Sequence, residues 1–177
     1  PSAGQPITDN SHLMGHCVNL LPIRCQLRAD MTFTEYLKER KFATLDAYDH
    51  QLFTFGSLLK NLNIPRDASR SPLVSAVFSL DQGLGGNIHL EGLKCEVFAN
   101  KRDYETFELF INATFHEEDF KLEWTYNTQL FKVETIKKMM DTFEFLLNTL
   151  VNDPQIKLKN ILVDDQTDLL KKIAGWN

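Results

Sequence analysis

The sequence predicts an α/β fold, an α+β sandwich in which a mixed β-sheet is covered by helices. Three observations predict it. Val18, Leu20, Leu21 and Ile23 form a short, nearly continuous apolar run between Gly15 and the more polar Arg24-Cys25-Gln26, the pattern of a strand covered on both faces. Residues 88–99, 107–115 and 120–126 alternate between apolar and polar side chains, the period of strands. Ile136, Met139, Met140, Phe143, Leu146, Leu147 and Leu150 recur at i, i+3, i+4, the stripe of a helix with one buried face.

In chain order, residues 1–13 are rich in Gly, Pro, Ser, Asp and Asn and read as a loop. The apolar run follows as a central strand, with Asn19 inside it. An amide there must find partners or lose about 1 to 3 kcal/mol to desolvation, so Asn19 is either a structural clamp or a ligand contact. Pro22 lacks an N–H for a ladder, which predicts a bulge or an edge at that point. Thr32-Phe33-Thr34-Glu35 has the spacing of a capping box. Tyr36, Leu37, Phe42, Ala43, Leu45 and Tyr48 continue it at helical spacing, which predicts a helix over 33–49. His50 to Thr54 break the pattern, and a second short helix over 55–62 ends before Pro65.

Arg66-Asp67-Ala68-Ser69-Arg70-Ser71-Pro72 is a polar turn before an apolar strand over 73–80. Its charges read as a mutually paired loop, or as guanidiniums that organise a channel rim and hold a neighbouring segment. Residues 81–87 are glycine-rich but lack the spacing of a dinucleotide or Walker loop, which favours a hairpin tip over a phosphate cradle. Three strands follow, the last two a hairpin across His116-Glu117-Glu118-Asp119. The amphipathic helix starts at Val133 and runs to Asp153-Pro154, with its methionines as core filler. A small helix over 166–173 ends the chain.

Charges total 19 basic against 24 acidic, a net of −5, with no long block of one sign. The short basic pairs Arg40-Lys41, Lys101-Arg102, Lys137-Lys138 and Lys171-Lys172 all lie beside acids, so the clustered basic face of a nucleic-acid binder is missing. No apolar run reaches 18 residues and no signal peptide is present, which predicts a soluble, cytoplasmic chain. With 177 residues, 43% of them hydrophobic, the chain has material for one core, a single domain or one lobe of a larger one. Pro1-Ser2-Ala3-Gly4 is an unusual start and suggests a piece excised from a longer polypeptide. Cys17, Cys25 and Cys95 are an odd count without C-x-x-C spacing, which fits buried thiols in a reducing compartment. His12, His16, Cys17 and Cys25 lack the paired spacing of a metal site. His16 and Cys17, as strand neighbours, point to opposite faces and form no dyad.

Four stretches, in order, carry a family resemblance. Residues 14–24, MGHCVNLLPIR, are similar to a motif of Gly, two apolar residues and Val-Asn-Thr-Leu-Pro-x-Arg, with His16-Cys17 and Leu20 as departures. HQLFTF (50–55) resembles His-Gln-Asp-x-Pro-Phe, with Leu52 and Thr54 in place of Asp and Pro. RDASRSPL (66–73) closely matches Arg-Asp-x-Ser-Arg-x-Pro-Leu, and LEWTYNTQLFKVETI (122–136) resembles the segment that ends the sheet and enters the last long helix. Together they resemble the C-terminal lobe of the condensation domains of nonribosomal peptide synthetases, in the chloramphenicol acetyltransferase-like superfamily. LLKKIAGWN at the end resembles the start of a linker into an adenylation domain.

The resemblance implies a half-fold over 1–163, followed by the start of that linker over 164–177. It implies a tunnel that the phosphopantetheine arms of two carrier proteins enter from opposite sides, where an acceptor aminoacyl thioester attacks a donor thioester to form an amide. Asn19, His50 and Ser71 would line it, with Asn19 near the reacting thioester. Arg24, Arg66, Asp67 and Arg70 would brace its wall, and the 83–86 excursion would bridge to the other lobe. The implied partners are the N-terminal lobe, the carrier proteins and the adenylation domain, with no directly bound cofactor or metal. The catalytic His-His-x-x-x-Asp-Gly motif is absent: no two of the five histidines are adjacent and none is followed four residues later by Asp. The chain alone is expected to be inactive. An epimerisation or heterocyclisation lobe, a scaffold module without chemistry and a thiol enzyme using Cys17 are the competing readings.

Overall fold

Strands β3 (Ala76–Asp81), β4 (Leu109–His116) and β5 (Asp119–Tyr126) make a three-stranded mixed sheet in the order β3-β4-β5. β3 runs parallel to β4, and β4 antiparallel to β5. The computed structural model describes residues 1–3, 18–65, 67–81, 91–93, 103–116 and 119–161. It divides the chain into two compact units, one of Pro1–Pro22 with His50–Phe131 and one of Ile23–Asp49 with Lys132–Asn177.

The register sorts the sheet's side chains into two unlike faces. Phe78, Ile111 and Trp124 are partners across the three strands, as are Leu80, Ala113 and Leu122. With Ala76, Leu109, Tyr126, Phe115 and Phe120 they make one wholly apolar face, on which Ala113 is completely buried. The opposite face carries Ser79, Asn112 and Glu123, then Asp81, Thr114 and Lys121. Val77 and Ser79 are buried on that second face, while Phe78 and Leu80 on the first are open, so β3 is covered on one side only. The hairpin closes with His116 opposite Asp119, and Phe115 meets Phe120 edge-to-face at 4.9 Å between ring centroids. The alternation in the sequence placed this hairpin correctly because period-two patterning fixes the register wherever one face is buried.

The same unit contains β1 (Ser2–Ala3), β2 (Val18–Asn19) and helix α2 (Phe55–Asn61). β1 and β2 pair antiparallel. The central strand expected over 18–23 is therefore only two residues long, and Val18 and Ile23 are 53% and 41% exposed. Two withdrawn donors end it. The N–H of Leu20 is taken by the side-chain oxygen of Asn19 at 3.0 Å, a local bond that competes with a ladder, and Pro22 has no N–H to offer. The strand expected from residue 73 begins instead at Ala76, because Leu73 sits at φ 66° in a tight turn closed by Val74 N–H donating to the Pro72 carbonyl. The strand expected over 88–99 lies largely outside the described residues. Glu91 and Gly92 within it form a turn, with Gly92 at φ 78°.

In the second unit, α1 (Phe33–Asp49) begins and ends where the capping box and apolar spacing predict. Thr32 Oγ1 accepts the Glu35 N–H at 3.2 Å while the Glu35 carboxylate accepts the Thr32 N–H at 2.7 Å. Helix α3 (Val133–Asn152) buries Ile136 and half-buries Phe143, Leu146 and Leu150. Met139 and Met140, expected as core filler, flank that line and are 38% and 40% exposed. The segment after α3 returns to the start of α1: Phe33 N–H donates to the Ile156 carbonyl and Leu158 N–H to the Met31 carbonyl. Ion pairs join Arg28 to Glu39 and Lys159 to Asp30. The small helix expected over 166–173 lies outside the described residues.

Candidate functional site

Asn19 stands at the centre of the first unit's polar contacts. Its Nδ2 donates to the carbonyls of Gln51 at 2.8 Å and Phe53 at 3.4 Å. Its Oδ1 accepts the N–H groups of Leu20 at 3.0 Å and Phe55 at 3.3 Å. An amide has two donors and an oxygen with two lone pairs, so this side chain is fully engaged within the chain. Of the two readings open for a polar residue in an apolar run, the geometry is that of the clamp.

What Asn19 holds is the segment 50–55. Phe53 N–H donates to the His50 carbonyl at 3.0 Å, closing a β-turn. Thr54 then caps α2, accepting the Ser57 N–H at 3.2 Å on its hydroxyl. Phe55 is the first residue of α2, and its N–H is one of the donors that a helix leaves unsatisfied at its start. Asn19 and Thr54 thus share the capping of one helix. His50 is exposed on the turn, and Leu52 at its tip is 73% exposed. Thr54, where the resembling motif has Pro, keeps a defined helix start by supplying a cap oxygen.

The 67–73 segment is tied down separately. The Asp67 carboxylate accepts the Ser69 hydroxyl at 2.6 Å and the Ser69 N–H at 2.9 Å. These two bonds, hydroxyl first, and then the nearby Arg70 charge hold the Asp67 carboxyl below the usual carboxylate range. Arg70 reaches Glu108, with its guanidinium nitrogen 3.2 Å from a carboxylate oxygen that is nearly enclosed. Ser71 donates its hydroxyl to the Thr106 carbonyl at 3.1 Å. Asp67 is thus bonded to Ser69 and Arg70 to Glu108, while any pairing with Arg66 lies outside the described residues. Glu108, just before β4, was missed at the sequence level; an acid opening an otherwise apolar strand is the signal that would have found it.

Arg66 lies outside the described residues, as do His16, Cys17 and the 83–86 excursion. Arg24 belongs to the second unit, where its carbonyl accepts the Arg40 guanidinium at 2.6 Å. Cys25, expected as a buried thiol, is exposed, because it follows the end of β2 in an open run over 23–30. Beside it the Tyr36 phenol is pushed above its ordinary range, first by burial and then by its hydrogen bond to Cys25. Among the described residues no three His, Cys, Asp or Glu side chains gather as a metal site. No described helix is long and apolar enough to cross a membrane.

Comparison with known proteins gives a consistent result. The condensation-domain family model matches residues 1–170. The chain is 33% identical to tyrocidine synthase 3 of Brevibacillus parabrevis over 177 residues, 100% of this chain and 3% of that protein. It is 32% identical to bacitracin synthase 3 of Bacillus licheniformis over 96% of this chain and 3% of that protein. Surfactin synthase subunit 1 of Bacillus subtilis (strain 168) is 30% identical over 100% of this chain and 5% of its own length. The chain thus spans only a few per cent of these relatives. Among solved structures, the condensation domain from the monacolin K polyketide synthase MokA superposes with a TM-score of 0.74 at 22% identity, over 89% of this chain and 37% of that one. The X-domain from teicoplanin biosynthesis gives 0.70 at 21%, over 80% and 33%. These two likenesses establish the fold.

Proposed function

We propose, from the premise that this chain belongs to the condensation-domain family, that it is the C-terminal lobe of such a domain in a nonribosomal peptide synthetase. It shapes the passage in which an amide bond is made between two carrier-bound thioesters. The observation that carries the reading is the family match over residues 1–170 in a chain without the His-His-x-x-x-Asp-Gly motif. Residues 1–163 form the lobe, and 164–177 begin a linker toward an adenylation domain. The synthetase works in the cytoplasm.

In the reaction, the acceptor's free amine attacks the carbonyl carbon of the donor thioester. A C–N bond forms, the C–S bond breaks, the phosphopantetheine thiol leaves, and the amine gives up one proton. The histidine motif that serves this proton is supplied by the N-terminal lobe. This chain contributes position: holding two reactants in line is worth several kcal/mol of barrier. Asn19, His50 and Ser71 belong to the tunnel wall; Arg24, Arg66, Asp67 and Arg70 brace it. The arms of the carrier proteins are substrates here, not resident cofactors. The Arg70–Glu108 pair and the Ser71 hydroxyl bond support the bracing, since both fasten the segment before β3 to the approach to β4.

The test supplies two carrier proteins loaded with alanyl and glycyl thioesters. The purified chain alone should form no dipeptidyl thioester. The same chain joined to an N-terminal lobe bearing the histidine motif should form it. Product from the chain alone, or none from the joined protein, would overturn the proposal.

A further inference from the structure

Every hydrogen-bonding position of the Asn19 side chain is spent on the N–H of Leu20 and on the segment 51–55. A substrate amine or carbonyl could be bound by this amide only by giving up one of those bonds and leaving a half-buried partner unpaired, at a desolvation cost. Partners lie 32, 34 and 36 residues away in sequence, so the contacts are tertiary and not part of the strand. On one side the amide ties down the carbonyls of Gln51 and Phe53, which follow His50 in its turn. On the other it accepts the opening N–H of α2, while Thr54 caps the same helix from within. One side chain therefore sets where the turn carrying His50 ends and in which direction α2 begins.

We infer that Asn19 is a positioning residue, which acts on the reacting groups through the 50–55 turn and the start of α2 instead of holding the acceptor itself. The consequence for catalysis rests on the tunnel role proposed above. The clamp stands on its own geometry. Direct recognition of the acceptor then falls to other groups of the tunnel wall.

The variant that separates these roles is Asn19→Asp. It keeps the oxygen that accepts from Leu20 and Phe55 but turns a second oxygen toward two carbonyls. Repulsion there raises the folded pKa of the introduced carboxyl above its unfolded value, because only the protonated form can donate to Gln51. The bond to Gln51, and most of the clamp with it, should then be restored at low pH and lost as pH rises through that raised value.

Amide hydrogen exchange on the 177-residue chain reads this directly, with the Tyr36 N–H of α1 as the reference for intact folding. In Asn19→Ala the Phe55 amide should exchange roughly tenfold faster or more relative to Tyr36. In Asn19→Asp it should do so at neutral pH and recover at low pH. Unchanged Phe55 exchange in both variants would overturn the inference. Turnover is then measured in the lobe-joined protein: kcat should fall with little change in the KM for the acceptor, and the Asn19→Asp deficit should shrink at lower pH. A raised acceptor KM with Phe55 exchange unaltered would mean direct substrate contact and overturn the inference. Altered exchange with kcat and KM intact would overturn the tunnel role of the turn, and the catalytic part of this inference with it, while leaving the clamp itself confirmed.

Discussion

Leu73 occupies a backbone region that a branched or bulky side chain seldom enters, at φ 66°. The three-residue turn closed by Val74 N–H on the Pro72 carbonyl at 2.7 Å demands it. Turns of this hand are rare and strained, and a non-glycine residue in the left-handed region costs on the order of 1–2 kcal/mol. Arg70 on Glu108 and Ser71 on the Thr106 carbonyl hold the flanking segment and keep the turn in place. The Leu73 side chain is 46% exposed, so its removal forfeits little burial. Leu73→Gly is expected to raise stability by up to about 1 kcal/mol in urea denaturation, the relief exceeding glycine's extra chain entropy of about 0.5–1 kcal/mol. Leu73→Val, β-branched, should lower it. Equal destabilisation by both would show that the turn is not strained. No sequence signal marks this position, because the left-handed residue is neither Gly nor Asn.

Helix α1 starts on two side chains that satisfy each other's backbone donors. The Glu35 carboxyl is held below its usual range, chiefly by the Thr32 N–H and then by the Thr32 hydroxyl. Its folded pKa is depressed, so the stabilisation it provides is present above the ordinary glutamate pKa and is lost as pH falls through the depressed value. Thr32→Ala should cost about 1 kcal/mol, read from thermal melts at neutral pH. Glu35→Gln keeps an acceptor for the Thr32 N–H but cannot titrate. The stability difference between it and the unsubstituted chain should therefore flatten once pH lies below the folded pKa. A difference that stays constant from pH 7 to below 3 would sink the capping-box account. The hairpin and α3 obey the same local rules. Their register and length were readable because alternation and the i, i+3, i+4 stripe are local properties of neighbouring residues.

For the whole molecule, the open β3 positions on the apolar sheet face in the first unit, and those on α1 and α3 in the second, each have the same meaning under the proposed function. Phe78 and Leu80 on that face are 51% and 57% exposed, Phe42 on α1 is 71% and Val151 on α3 is 74%. Monomeric proteins seldom leave extended apolar surface uncovered, and a lobe lacking its companion would do so. Sedimentation velocity of the purified chain is expected to show association that grows with concentration through the micromolar range. Joining the N-terminal lobe should suppress it and reduce binding of a hydrophobic dye. A chain monomeric throughout, with no dye response, would argue against a missing lobe interface.

Residue order alone is enough to read the fold class, the bounds of α1 and α3, the β4–β5 hairpin and, through four motifs, the family. Each follows from periodicity or from partners within a few residues, which a linear reading can see. Three-dimensional contacts were needed to see that the 18–23 run holds a strand of two residues, that Arg70 finds Glu108, that Cys25 is open and that Asn19 clamps the 50–55 turn. Those outcomes depend on donors and acceptors brought together from distant parts of the chain, and a buried amide in a sequence announces that it needs partners without naming them.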